Sequence, residues 1–161
     1  MSEQPFLRTG ELIPAFSLPG ADGMPHSPWD YKQREHLVML LFTSVTTGEA
    51  RGLLREFKRR YRELREEYCA LLAIAADTVL EQLRAQEELQ LPFTLLADPQ
   101  GEVLARYTFW DAQARLALPS VVLANRYGAL YTQWIAERER ELPSIDVLLK
   151  DLVYLNTLCT P

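Results

Sequence analysis

Cysteine thiols are the most reactive side chains in this 161-residue sequence, which contains two of them. Cys69 opens an uninterrupted apolar run, 69–76, where a thiol behaves as a small hydrophobic group and stays protonated. Cys159 lies close to the end, and its neighbours Thr157 and Thr160 bring no positive charge that would lower the thiol pKa. Thiol chemistry here would therefore depend on an exposed Cys159 and on a second thiol from outside the chain.

Threonine hydroxyls are weaker candidates for catalysis. Thr43 and Thr47 lie near Glu49 in the sequence, but a threonine becomes nucleophilic only beside a base that takes its proton. Thr46 and Glu49 have the spacing of a capping box, which predicts that Glu49 helps to start a helix. One hypothesis for the function is therefore an enzyme that acts on its substrate through Thr43, Thr47 or Glu49.

Metal ligands are sparse along the chain. The histidines are His26 and His36, and they are the only two. The acidic residues Asp77, Asp98 and Asp111 stand at predicted strand ends or turns, where aspartate is common for conformational reasons. The sequence therefore predicts no metal site and no cofactor.

Composition restricts the class of protein. The net charge of −5 provides no positive field for nucleic acid or an anionic membrane. The longest apolar run, 69–76, is far shorter than the ~20 residues that a membrane span needs, and the first residues do not form a secretory signal. We expect one domain over 1–161, located in the cytoplasm.

The elements that would position these residues alternate between strand and helix. Apolar runs of strand length suit strands that are buried on both faces, and Thr78 with Glu81 forms a capping signature. The predicted order is strand 37–42, a long helix with its apolar stripe over 53–68, strand 69–76, helix 78–90, strand 92–98, helix 101–107, hairpin strands 120–125 and 129–136, and helix 144–157. Such alternation indicates an α/β fold with a parallel core and an antiparallel hairpin at its edge.

Four segments, in the right order, resemble those of a known family. Residues 10–18 are similar to its opening G-x-x-x-P-x-F-x-L, 37–42 to its first central strand, 91–98 to its L-P-F-x-L-L-x-D, and 118–128 to the proline strand and turn of thioredoxin-like proteins. Over 10–155 the chain resembles the peroxiredoxin-like (alkyl hydroperoxide reductase and thiol-specific antioxidant, or redoxin) family. The resemblance implies a thioredoxin-like fold, with a central mixed sheet flanked by helices and an N-terminal hairpin extension.

The chain departs from this family at the reactive motif. The family carries Pro-x-x-x-Thr-x-x-Cys after the first central strand, because a helix start and a nearby arginine stabilise the thiolate. Aligned with it, Thr43 replaces the proline, Thr47 keeps the threonine and Ala50 stands at the cysteine. Pro119 falls at the arginine and matches the cis proline of thioredoxins, which would leave a backbone edge for a bound chain.

Two further hypotheses therefore compete. In the first, the chain lacks peroxidase activity and binds a protein partner or a second copy of itself through a groove that includes Phe42, Thr43, Thr47, Glu49 and Pro119. Trp110 and Trp134 would act as anchors if they lay near that groove. In the second, the chain is a thiol-dependent antioxidant oxidoreductase that uses Cys159.

Overall fold

Residues 7–158 are described by the computed structural model of the protein. Their strands are Leu18–Pro19 (β1), Pro25–His26 (β2), His36–Leu41 (β3), Cys69–Ala75 (β4), Thr94–Ala97 (β5), Trp110–Asp111 (β6), Leu116–Ala117 (β7), Ser120–Ala124 (β8) and Leu130–Ile135 (β9). Their α-helices are Gly48–Arg59 (α1), Tyr61–Glu66 (α2), Val79–Leu89 (α3), Glu102–Tyr107 (α4) and Ile145–Thr157 (α5). None of the helices in this part of the chain is long and apolar enough to cross a membrane.

A five-stranded mixed sheet in the order β5-β4-β3-β8-β9 is the centre of the fold. Strands β3, β4 and β5 run parallel, whereas β8 and β9 are antiparallel to their neighbours. Successive side chains of β3 enter different cores: Leu37 and Met39 face the core beneath α4, and Val38 and Leu40 face the core beneath α1, α3 and α5. The predicted mixed sheet flanked by helices is thus confirmed, and its apolar strands are buried on both faces as expected.

The N-terminal hairpin extension is also present. Strand β1 pairs with β2 in antiparallel register, Leu18 opposite His26. The hairpin continues the sheet at its β5 edge, because the Ala21 N–H donates to the Leu95 carbonyl at 2.9 Å. A hydrogen bond of 2.8 Å joins His26 Nε2 to Asp22 Oδ2 within it.

The long predicted helix is divided into α1 and α2 at Arg60. Arg60 leaves helical geometry at φ −107° and ψ 11°, and its guanidinium pairs with Glu63 and with Asp146 of α5. The start of α1 also differs from the expectation. Thr47 is the N-cap and accepts from the Ala50 N–H at 3.2 Å, so no capping box joins Thr46 to Glu49.

Thr46 fails to cap α1 because its own groups are used in the preceding loop. The Thr46 N–H donates to the Ser44 hydroxyl at 3.1 Å, and the two hydroxyls are 2.8 Å apart. Glu49 consequently occupies the second position of the helix, and its carboxylate faces outward toward Arg138 and Arg140. The predicted box of Thr78 and Glu81, in contrast, is confirmed at the start of α3.

A second small hairpin, β6–β7, was not predicted from the sequence. Trp110 pairs with Ala117 and Asp111 with Leu116, and Arg115 completes the turn at φ +54°. Two hydrogen bonds of 2.9 Å fasten the hairpin to the end of β3: the Thr43 hydroxyl donates to the Ala117 carbonyl and accepts from the Ala117 N–H. The hairpin thereby forms a wall beside the start of α1.

Candidate binding groove

The groove lies where the carboxyl end of β3 meets the start of β8. Strand pairing sets Leu41 opposite Ser120, so that Thr43 and Pro119 emerge at the same end of the sheet. The start of α1 adds Thr47 and Glu49 to the same opening. The structure thus brings together four of the five residues that the binding hypothesis places in the groove.

Phe42, the fifth residue, does not reach the opening. Its side chain is 0% exposed and packs in the core beneath α1, so the expectation that it lines the groove is not met. Ala50 is also 0% exposed and lies in the same core. The reason is the geometry of the local elements: Phe42 continues the inward alternation of β3, and Ala50 is on the buried face of α1.

Ala50 occupies the position that the resemblance assigns to a reactive cysteine. It is in the first turn of α1, where unpaired backbone N–H groups favour negative charge. A methyl group at this position has no lone pair and cannot attack a peroxide. The helix start is retained, but the nucleophile that it would activate is absent from it.

The threonine hydroxyls of the groove serve structural roles. Thr43 uses its hydroxyl as both donor and acceptor with Ala117, and Thr47 accepts from the Ala50 N–H. Within residues 7–158, no carboxylate or imidazole accepts a hydrogen bond from either hydroxyl. Among the described residues, neither hydroxyl is thus hydrogen-bonded to a base that would make it nucleophilic.

Pro119 is in the trans conformation, since residues 7–158 contain no cis peptide bond. The prediction of a cis proline is therefore wrong, and so is the expected free backbone edge. Leu118 donates its N–H to the Phe109 carbonyl at 3.0 Å and accepts from the Thr108 hydroxyl at 2.9 Å, while the Pro119 carbonyl accepts from Ala136 at 2.9 Å. Because these main-chain groups are already paired, a bound chain would have to be recognised by side chains.

Apolar side chains and carboxylates line the groove, which encloses about 570 Å³. This volume is within the usual range of ligand sites. The apolar side chains are Phe109, Trp110, Leu116, Ala117, Leu118 and Pro119. The acidic ones are Glu49, Asp111, Glu137 and Glu139, and the lining contains no lysine, arginine or histidine. The lining of the groove is thus negatively charged, whereas a thiolate or another anion is stabilised by positive charge.

Trp110 is one of the two tryptophans proposed as anchors, and it does line the groove. Its ring covers Gly101, where a Cβ atom would lie 2.0 Å from the ring. Trp134 is instead on β9 and packs against the core, so it does not contribute to the groove. Leu116 and Leu118 were missed, although their alternation just before a proline could have indicated a short strand.

The thiols lie outside the groove. Cys69 is 0% exposed, its Sγ–H donates to the Ala70 carbonyl at 3.2 Å, and burial raises the pKa of the thiol to about 12. Such a thiol is inert at neutral pH, as the sequence indicated. Cys159, the other candidate, is outside the described residues.

The aspartates considered as metal ligands have backbone partners. Asp77 accepts from the Val45 N–H at 2.6 Å, and Asp98 accepts from the N–H groups at the start of α4. Burial raises the pKa of both carboxyls, while these hydrogen bonds act in the opposite direction. Asp111 accepts from two N–H groups of the β6–β7 turn. In the described part of the chain, no three His, Cys, Asp or Glu side chains are grouped so that they could hold a metal ion.

Comparisons with known proteins agree with the fold and with the sequence resemblance. The model of the AhpC/TSA family matches residues 9–133. Peroxiredoxin Bcp of Escherichia coli K12 is 30% identical over 111 residues, which span 67% of this chain and 69% of that protein. Peroxidoxin BcpB from Mycobacterium tuberculosis superposes with a TM-score of 0.80 at 20% identity, covering 96% of this chain and 99% of the other. AhpC of Enterococcus faecalis gives 0.83 at 13% identity, with the same coverage.

Proposed function

The chain belongs to the AhpC/TSA family, and we propose that within it this protein has lost thiol peroxidase chemistry and binds a protein segment in the groove. The observation that carries the proposal is the composition of the groove. It combines apolar walls with carboxylates, and no thiol or positive charge is among its lining residues. A peroxidase of this family would need both at this place.

The remaining buried thiol supports the same proposal. Cys69 has no exposed surface and a pKa raised to about 12, so the thiolate fraction at neutral pH is negligible. The acidic lining would oppose a thiolate even if one were placed near the groove, since like charges disfavour each other. The residues that line the groove can bind a ligand without a nucleophile or a cofactor.

A thiol-dependent oxidoreductase that uses Cys159 is the second candidate. Helix α5 ends at Thr157, so Cys159 follows directly on the last helix. Proteins related to this family often carry a cysteine in such a tail, which favours the candidate. Its reaction would form a disulfide with a thiol from another chain or from a small molecule, with a peroxide as the oxidant.

Peroxide consumption by the purified protein with dithiothreitol tests both candidates. We expect wild type, Cys159→Ser and Cys69→Ser to consume hydrogen peroxide no faster than dithiothreitol alone. Rapid consumption by wild type that disappears only in Cys159→Ser would establish the second candidate and contradict the first. Cys69→Ser serves as the matched control, because it removes a thiol that has no access to solvent.

The cellular setting follows from the same features. We propose a cytoplasmic protein, because a free buried thiol and few cysteines suit a reducing compartment. Its partner would be another protein or a second copy of the chain, forming a homodimer. The acidic net charge disfavours nucleic acid as a partner.

A further inference from the structure

A second pocket adjoins the groove on the other side of the first turn of α1. It encloses about 590 Å³, and its apolar lining consists of Gly52, Leu53, Phe57, Leu142, Pro143 and Ile145. Glu49 and Glu139 line both this pocket and the groove. The two cavities therefore adjoin, and we call them together the double pocket, with two apolar halves and with Glu49 and Glu139 at their junction.

Negative charge is in excess along the double pocket. Arg140 lines the second pocket and lies 3.6 Å from Glu49, which is also 4.0 Å from Arg138, and Glu56 is paired with Arg59. The five acids of the lining still outnumber this one base. The remaining acids of the lining are Asp111, Glu137 and Glu139, and none of them has a cationic partner among residues 7–158. A ligand that carries positive charge would form ion pairs with these carboxylates, whereas an anionic ligand would be repelled.

We propose that the double pocket binds an extended polypeptide segment that has apolar side chains at two positions and a lysine or arginine between them. The two apolar side chains would fill the two halves, and the basic side chain would bind at Glu139, the junction carboxylate that makes no ion pair with the described residues. This inference rests on the proposed function and specifies the chemistry of the partner.

The shape of the double pocket favours a polypeptide over other cationic partners. Its apolar areas are concave and separated by charge, so that one extended chain could place a side chain in each half. A membrane surface would instead meet a protruding apolar or basic surface, which these residues do not form. Recognition would depend on side chains, since the main chain at Leu118 and Pro119 is already paired.

Selection from a random peptide library on the immobilised protein tests the proposal. We expect the enriched peptides to contain an arginine or lysine flanked by apolar residues. A fluorescent copy of an enriched peptide should bind several-fold more weakly when the salt concentration rises from about 50 to about 500 mM, because part of the affinity is electrostatic. Replacing its basic residue by glutamate should abolish binding.

Glu139→Lys should weaken binding of the enriched peptide roughly tenfold or more, because it reverses the charge at the junction. Glu87→Lys is the matched control, since Glu87 is exposed on α3, lines neither half and makes no ion pair with the described residues. It introduces the same charge change and should leave binding within about twofold of wild type. Thermal melts of both variants establish that the fold is retained.

Three outcomes would overturn the inference. The first is the absence of any enriched peptide. The second is enrichment of peptides that lack a basic residue or bind Glu139→Lys as well as wild type, in which case the groove still binds protein and the proposed function stands. The third is a dimer of this chain that occludes the double pocket and that no peptide displaces. Failure of the proposed function itself is recognised separately, by rapid peroxide consumption through Cys159.

Discussion

At the scale of single residues, the start of α1 carries alanine where the resemblance places a reactive cysteine. Thr47 still caps the helix and the Ala50 N–H still points to it, at 3.2 Å. Pro119 stands where the resemblance places an arginine, and Glu49 adds a carboxylate beside the helix start. Both features would lower the stability of an anion at the start of α1.

Ala50→Cys should therefore not restore fast peroxide reduction by itself. The new thiol would gain from the helix start, but the nearby carboxylates and its burial in the core beneath α1 would oppose its ionisation. We expect a peroxide rate no faster than about tenfold that of a free thiol, and a thiol pKa at or above its ordinary value of about 8.5, measured by alkylation across pH. Ala50→Ser is the control that adds a polar group without thiol chemistry.

The double variant Ala50→Cys/Pro119→Arg should react faster with peroxide than Ala50→Cys, because a guanidinium beside the thiol lowers its pKa. Both rates can be measured by competition with a peroxide-sensitive dye. A rapid reaction of Ala50→Cys alone would contradict this account, since it would show that the acidic groove does not suppress the chemistry.

At the scale of elements, the β6–β7 hairpin turns an open sheet end into a walled groove. Thr43 fastens it through both of its hydroxyl hydrogen bonds with Ala117. On the other side, Trp110 packs over Gly101, which precedes α4 and has φ +70°. The hairpin is thus positioned by β3 on one side and by the start of α4 on the other.

Gly101→Ala should destabilise the protein by roughly 2 kcal/mol or more, because it combines a left-handed backbone with an overlap against Trp110. The Cβ atom would lie 2.0 Å from the indole ring. Denaturant unfolding measures the change, and tryptophan fluorescence should report the displaced ring.

Gly52→Ala is the matched control for this prediction. Gly52 is inside α1, and among residues 7–158 no atom beyond its chain neighbours and its own helix backbone lies within 4 Å of an added Cβ. Alanine there should stabilise the protein by about 0.5–1 kcal/mol, because glycine is the poorer helix former. A Gly101→Ala protein that is as stable as wild type would show that the indole moves away at no cost.

At the scale of the whole molecule, a polar cluster at the opposite end of the sheet holds the last helix. His36 opens β3 and lies buried, with Nε2 2.8 Å from Asn156 Oδ1 of α5. Asn156 in turn donates to the Glu67 carbonyl at 2.9 Å and accepts from Arg126 at 3.3 Å. The cluster therefore joins the start of the central strand to the end of α5.

The pH dependence of stability should reflect this cluster. Burial lowers the pKa of His36 below its ordinary value of 6.5, and the nearby Arg126 adds to the effect, against the Asn156 hydrogen bond and Glu67. The unfolded chain then binds a proton more readily than the folded one, so stability is complete above about pH 6.5 and decreases as the pH falls below it. Asn156 Oδ1 accepts from His36 Nε2, so protonation would add a hydrogen at Nδ1, a buried atom that has no hydrogen-bond partner among residues 7–158.

His36→Gln removes the titrating group and keeps a donor for Asn156. The loss of melting temperature between about pH 7.5 and about pH 5.5 should be smaller in His36→Gln than in wild type. Buried aspartates such as Asp77 titrate in both proteins, so their effect cancels in the comparison. Equal losses in the two proteins would exclude His36 as a source of the acid sensitivity.

Patterns along the sequence were sufficient for the order of the elements, the mixed sheet and the inert state of Cys69. These features follow from local rules: a continuous apolar run such as 37–42 must be buried on both faces, and the Thr78–Glu81 box joins residues three apart. The assignment of Ala50 to the position of a reactive cysteine depends on the spacing of one motif and stays a prediction. The sequence by itself thus determined the scaffold and the absence of a cysteine from α1.

Only the tertiary structure decided what the groove contains. Its walls come from β3, α1, the β6–β7 hairpin and the segment after β9, and their meeting depends on hydrogen bonds between distant residues such as Thr43 and Ala117. The same long-range bonds pair the main chain at Pro119, and inward alternation removes Phe42 from the lining. The convergence of Glu49, Asp111, Glu137 and Glu139 has no local signal, because charges far apart in sequence become neighbours only when the chain packs.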